Sequence, residues 1–350
     1  MDSFETFPEQ DEAKALLRAA VREGSAHAYL FHGPRGVGKR RAALAFAAEL
    51  LGDAERVARR THPDLYVLEP LGAQIRIDPI RALRRDLHMR PFEADRRVYL
   101  IFGAHLMNEE AADALLKDLE EPPSYAVVVL IADDLGPLPE TIRSRCQHVP
   151  FRRLSHRAVK AHLSARGLTG ERLEALARVA GGRLDAAERL LDSQAAAGRE
   201  RVLELARAVY LEPGFDPGGA SRSINELVQE RARAARVAVT EAAGPDERER
   251  EVEQRARRAG RGVERDELLA ALEVLSSWYR DLVVVAAGAE GAVVNVDRVA
   301  ELTADGVPER SEPAERAAEA VRDVWRSFEF QVQPVLALEA LFTRLRRELA

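Results

Sequence analysis

Cysteine is nearly absent from this sequence: Cys146 is the one example in 350 residues. That excludes an internal disulfide framework and any cysteine-based zinc site within the chain, and it fits a reducing, cytoplasmic setting. Long apolar runs are missing too. No stretch approaches the ~20 apolar residues that span a bilayer, and Met1-Asp2-Ser3-Phe4-Glu5 is acidic where a secretory signal would be basic and then apolar, so neither export nor membrane insertion is expected. Nor is there an excess of one charge. The 52 Lys and Arg against 58 Asp and Glu leave a net of -6, which gives no vote for a nucleic-acid surface. What is present, 46% apolar and 31% charged residues of mixed sign, describes a folded globular protein, and the length suggests two or three domains.

Short apolar runs at Tyr29-Leu30-Phe31, Leu65 to Leu68, Val98 to Phe102 and Val127 to Ile131 alternate with helical periodicity. Continuous apolarity of this kind suits strands covered on both faces, so the region predicts a parallel α/β sheet. Strand signals nearly stop after Val149-Pro150-Phe151, and the pattern predicts an α/β domain over 1–153, a small helical domain over 154–194 and an all-α region over 195–350. Within the last region, acids and bases interleave from Gln229 to Glu267, the pattern of a long solvated helix laced with pairs three or four residues apart. Loops are expected near Gly214 to Pro217 and Gly306 to Pro308.

His32-Gly33-Pro34-Arg35-Gly36-Val37-Gly38-Lys39 follows one predicted strand and precedes the helical run Arg41 to Leu51. Strand, glycine loop, lysine and helix together make a phosphate cradle, in which Gly33, Gly36 and Gly38 let backbone amides converge on an anion beside Lys39. The next residue, however, is Arg40, where a working loop carries Ser or Thr to ligate magnesium. The strand at Val98 to Ile101 runs into Phe102-Gly103, where one or two metal-binding acids would stand. With both sets of metal ligands replaced, the expectation is a phosphate-loop fold without its own ATPase activity.

The stretch Asn108-Glu109-Glu110-Ala111-Ala112-Asp113-Ala114-Leu115-Leu116-Lys117-Asp118-Leu119-Glu120-Glu121-Pro122-Pro123, followed by Thr141-Ile142-Arg143-Ser144-Arg145-Cys146, resembles the clamp-loader branch of the AAA+ superfamily. Asp113 stands where that family usually has Asn. Ala28 to Phe31, His62-Pro63-Asp64 and Gln333 to Leu341 are similar to its delta-prime members in particular. The resemblance is at motif level over roughly 25–152 and mainly one of layout beyond. It implies a P-loop AAA+ domain, a helical lid and an all-α collar. It also implies a subunit that works with gamma/tau-type motor subunits and a delta-type wrench subunit, loading a sliding clamp onto primed DNA as part of the DNA polymerase III holoenzyme. Arg145, with Ser144 and Cys146 of the Ser-Arg-Cys turn, is then the arginine that reaches the ATP of a neighbouring subunit; a structural surface arginine is the alternative.

Departures from the family pattern agree with loss of hydrolysis. Asp133-Asp134 follows the sensor strand where active members have Ser or Thr, and Asp185 occupies the position of the lid arginine, with Arg183 two residues earlier. The family's zinc-binding cysteine cluster is replaced by Asp53 to Thr61, so no zinc and no other required cofactor is expected. Weak ATP or ADP binding by Gly33, Gly36, Gly38 and Lys39 without magnesium is left open. His27, His32 and His62 lack a metal-ligand spacing, Trp278-Tyr279 and Trp325 read as core or subunit packing, and Arg76, Arg81, Arg84 and Arg85 read as a solvated face rather than a DNA contact. Two other functions remain in view: an ATP-hydrolysing motor subunit, and a stand-alone DNA-binding AAA+ adaptor.

Overall fold

The computed structural model describes residues 2–70, 74–244, 249–327 and 333–349. The first part of the chain alternates helix and strand: α1 (Asp11–Glu23), β1 (Ala28–His32), α2 (Lys39–Leu51), α3 (Ala54–Arg59), β2 (Leu65–Leu68), α4 (Ile77–Leu87), β3 (Arg97–Phe102), α5 (Glu109–Glu120), β4 (Ala126–Ala132), α6 (Glu140–Arg143) and β5 (Gln147–Pro150). Among the described residues only helices and short turns follow: α7 (His156–Ser164), α8 (Gly170–Val179), α9 (Leu184–Leu191), α10 (Ser193–Leu211), α11 (Pro217–Glu241), α12 (Glu249–Ala286), α13 (Val299–Asp305), α14 (Pro308–Ser327) and α15 (Pro334–Leu349). The described residues fall into two compact units. One holds the chain to Pro70, Gln74–Leu168 and Ala180–Ala187; the other holds Thr169–Val179 and the chain from Glu188 onward.

In the first unit the five strands form a parallel sheet in the order β2-β3-β4-β1-β5. Alternate residues of each strand enter opposite cores, as the period of two requires. Tyr29 and Phe31, Val98 and Leu100, and Val127 and Val129 pack with Leu17 and Phe46 of α1 and α2. Leu30, Tyr99, Ile101, Val128 and Leu130 pack with Leu83 of α4 and Leu115 of α5 on the other face. A sheet covered on both faces needs strands that are apolar throughout, which is why the central strands read as unbroken apolar runs.

The His62-Pro63-Asp64 triplet has a structural task. Asp64 is 0% exposed. Its carboxylate accepts the backbone N–H of Phe92 at 2.6 Å, of Glu93 at 3.0 Å and of Ala94 at 2.9 Å, while its own N–H donates to His62 Nδ1 at 3.1 Å. Its carbonyl also accepts from Val98 at 2.9 Å, so one buried acid fastens the α4–β3 loop to the start of β3.

The second unit is built around α10, α11, α12, α14 and α15, whose apolar faces share one core. Trp278 and Tyr279 lie fully inside it, with Trp278 Nε1 donating to Tyr210 Oη at 3.1 Å and Tyr279 Oη donating to the Ala206 carbonyl at 3.1 Å. Core packing is therefore the role of this pair; the side chain of Trp325 lies outside the described residues. The charge-dense stretch departs from the expected single helix. It is split between α11 and α12, and part of its pairing runs across the two, from Arg236 to Glu264 and from Arg231 to Glu267. Helical spacing on the last helix predicts an apolar stripe through Phe328, Val332, Leu336 and Leu341, packed within this domain and against partner subunits. Phe328 and Val332 lie outside the described residues, Leu336 is 58% exposed, and the buried face of α15 is Leu338, Leu341, Phe342 and Leu345.

Asp64 supplies a stability test. Burial opposes its charge, but the three amides and the Arg97 guanidinium outweigh it and hold its carboxyl below the usual carboxylate range. A depressed folded-state pKa contributes stability that is present above the unfolded value of about 3.9 and is lost as pH falls through the folded value. Asp64→Asn, which turns an N–H₂ toward amide donors, is expected to cost about 2–4 kcal/mol at pH 7. The same substitution is expected to flatten the acid limb of a urea-denaturation stability profile as pH falls below the unfolded value of about 3.9.

Candidate functional site: the phosphate loop and the Ser-Arg-Cys turn

The glycine loop leaves the C-terminal end of β1 and enters α2 at Lys39, the edge at which parallel α/β sheets collect ligands. Its glycines are required by geometry. Gly33, Gly36 and Gly38 have φ of 137°, 76° and 102°. A Cβ at Gly33 would overlap the carbonyl oxygen of Phe151, and one at Gly36 would overlap the carboxylate of Asp185.

Lys39 is turned inward. Its side chain is 3% exposed, and its ammonium donates to the Gly33 carbonyl at 2.6 Å and to the Pro34 carbonyl at 2.6 Å, with Asp133 Oδ1 at 2.7 Å. Burial lowers its pKa, and Asp133 works in the opposite sense. Asp185 sits over Gly36, its Oδ2 2.8 Å from Arg183 Nη2 and 3.4 Å from Arg35 Nε. Burial disfavours its charge, yet Arg183 first and Arg35 next keep its carboxyl below the ordinary range. Arg183 thus serves Asp185.

The positions that would hold magnesium form a different structure. Arg40 stacks its guanidinium over the Phe102 ring at 4.2 Å and pairs with Glu69, which also takes Arg60 at 2.8 Å. Gly103 continues the turn at φ 67°. A guanidinium repels a divalent cation, an aromatic ring offers it no oxygen, and Gly103 has no side chain, so these residues do not fit a magnesium ion. Among the described residues no cluster of three or more His, Cys, Asp or Glu is placed to hold any metal. Likewise, no described helix is long and apolar enough to cross a membrane.

Arg145 is brought to another place. It lies just before β5, whose Gln147 pairs with Tyr29 and whose Pro150 pairs with His32. In a parallel pair this puts Arg145 at the N-terminal edge of the sheet, while the phosphate loop leaves the C-terminal edge. Its guanidinium donates to the Thr141 carbonyl at 2.8 Å and contacts Glu120 Oε1 at 2.6 Å, at the C-terminal end of α5. Ser144 Oγ lies 3.5 Å from it. Cys146 is buried, and burial pushes its thiol pKa up to about 12, so it acts as a small apolar anchor rather than a nucleophile.

Several partners escape sequence reading: the Phe151 carbonyl against Gly33, Glu69 for Arg40, Glu120 for Arg145, and the attachment of Lys39 to Asp133. For the last a signal exists. His32 and Ala132 are paired across β1 and β4, so the residue after each strand end falls beside the other.

A family model described as DNA polymerase III, delta subunit, matches residues 9–155. The DNA polymerase III subunit delta' of Bacillus subtilis is 32% identical over 213 residues, covering 57% of this chain and 65% of that protein. The subunit delta' of Pseudomonas aeruginosa is 38% identical over 203 residues, covering 52% and 61%. The chain therefore spans less than two thirds of the length of these relatives. A solved gamma subunit-related protein of DNA polymerase III from Thermotoga maritima superposes with a TM-score of 0.50 at 17% identity, covering 97% of this chain and 100% of that one; at such identity it speaks to the fold alone. A five-stranded parallel sheet carrying a phosphate loop, followed by a mostly helical region, is the P-loop AAA+ arrangement. Over residues 9–155 the chain is thus similar to the DNA polymerase III delta-subunit family, and the relatives it resembles at 32% and 38% identity are delta' subunits.

Proposed function

We propose that this chain is a non-hydrolysing, delta-prime-type subunit of a bacterial clamp loader, one that assembles with AAA+ motor subunits of the gamma/tau type and a delta-type wrench subunit. In that role it takes part in placing a sliding clamp on primed DNA and lends Arg145 to the ATP site of its neighbour. The observation that carries the non-hydrolysing reading is the stack of Arg40 on Phe102. Phosphoryl transfer needs a cation to neutralise charge between the β- and γ-phosphates, and a fixed guanidinium on an aromatic face, paired with Glu69, stands at the metal-ligand position instead.

The placement of Arg145 supports a role in trans. A planar cation with several donors suits the spreading charge of a transferring phosphoryl group. At the N-terminal edge of the sheet it lies apart from its own loop, a placement that suits a role in trans. Its ties to Thr141 and Glu120 are made at the surface, where ion pairs contribute only about 0–1 kcal/mol and are readily exchanged for a stronger anion.

Two results test the proposal. The isolated chain is expected to show no magnesium-dependent ATP hydrolysis above background in a steady-state phosphate-release assay, and turnover abolished by Lys39→Ala would refute the non-hydrolysing reading. In the reconstituted loader, Arg145→Ala is expected to leave folding and assembly intact while clamp loading falls steeply. Arginine fingers contribute about 10³–10⁵ in rate at one site, and the remaining sites keep their own, so bulk ATPase should fall only in part. Arg145→Lys is expected to rescue poorly for want of the planar fork. Clamp-stimulated, DNA-dependent ATPase and clamp loading at wild-type level in Arg145→Ala would remove the trans role.

A further inference from the structure

A lysine ammonium has three N–H donors and no acceptor. At Lys39 those donors are matched by three oxygens: the Gly33 and Pro34 carbonyls, each at 2.6 Å, and Asp133 Oδ1 at 2.7 Å. The side chain is almost sealed from solvent, so water is poorly placed to replace a lost partner. To take a phosphate oxygen, Lys39 has to give up one of these contacts.

Asp185 acts on the same loop from the opposite side. Its carboxylate lies so close over Gly36 that no side chain fits there, and the N–H of the preceding residue, Leu184, donates to the Gly36 carbonyl at 2.8 Å. The acid is held in that position by Arg183 at 2.8 Å, by Arg35 at 3.4 Å and by the N–H of Ala186 at 2.8 Å. The cations at the loop's rim thus already face a carboxylate. A nucleotide entering the loop would bring its phosphates against the like charges of Asp133 and Asp185.

We propose that Asp133 and Asp185 are built-in anions of the phosphate loop: they occupy the charge sites that nucleotide phosphates would use and exclude ATP and ADP from this chain. The inference concerns occupancy alone. It stands apart from the trans role of Arg145 and from the loss of metal ligands, since a loop can bind a nucleoside diphosphate without hydrolysing anything.

The test is isothermal titration of the full chain with ADP in the absence of magnesium, which separates occupancy from hydrolysis. The wild-type chain is expected to give no saturable binding. Asp133→Ala/Asp185→Ala should bind ADP at least about tenfold more tightly, a gain of about 1.4 kcal/mol. Adding Lys39→Ala should abolish that gain. Should the double alanine variant fail to fold by circular dichroism, Asp133→Asn/Asp185→Asn, which removes charge and keeps shape, is expected to show the same gain. The proposal is overturned if the wild-type chain binds ADP within about tenfold of the folded double variant, or if both double variants fold and neither gains affinity.

Discussion

Because all five strands of the sheet run parallel, the residues that follow them gather at one edge, and the composition of that edge determines what the domain can do. Lys39 follows β1 through the glycine loop, Asp133 follows β4, Glu69 follows β2, Phe102 ends β3, and Phe151 follows β5. In a hydrolysing domain the same register would bring a lysine, a hydroxyl and acids around a metal and a triphosphate. Here it brings an ammonium against a carboxylate and a guanidinium against an aromatic face. The scaffold keeps its convergence, and what converges has changed.

A second regularity is the treatment of buried charge. Asp64, Asp118, Asp281 and Lys39 are all withdrawn from solvent, and each is met by partners that fit its donors or acceptors. Asp118 on α5 takes Arg84 of α4 and His88 just past its end, which joins the two helices beneath one face of the sheet. Asp281 on α12 accepts the N–H groups of Val294 and Asn295, at 3.0 Å and 2.8 Å, and so fixes the chain that follows the helix. Removing one member of such a set leaves the rest charged and dry, so these networks specify where segments lie more than they add net stability.

The sheet was legible in the sequence wherever burial on both faces makes a strand apolar throughout, as in Val98 to Phe102 and Val127 to Ile131. β5 was not, because Gln147 and His148 are exposed on an edge strand of four residues and carry no such pattern. The loop, Arg40 and Phe102-Gly103 could be recognised one by one as departures from a magnesium site. Their contact could not, since it depends on the register that sets β3 beside the start of α2. The run from Gln229 to Glu267 looked like a single helix for a related reason: Arg236 to Glu264 across two helices and Glu253 to Arg257 within one are both acid–base spacings in a stretch full of them. Only packing separates the two. The exposure of Leu336 was likewise invisible to periodicity, which locates an apolar stripe but not its margin.

The stack of Arg40 on Phe102 also bears on how substitutions in this domain act. A hydroxyl at position 40 alone would deprive Glu69 of one guanidinium and leave the Phe102 ring uncovered; an acid at 102 alone would compete with Glu69 for the Arg40 guanidinium. Each change alters the surroundings of the other. The two positions are therefore coupled, so that the effect of a substitution at one depends on the residue at the other.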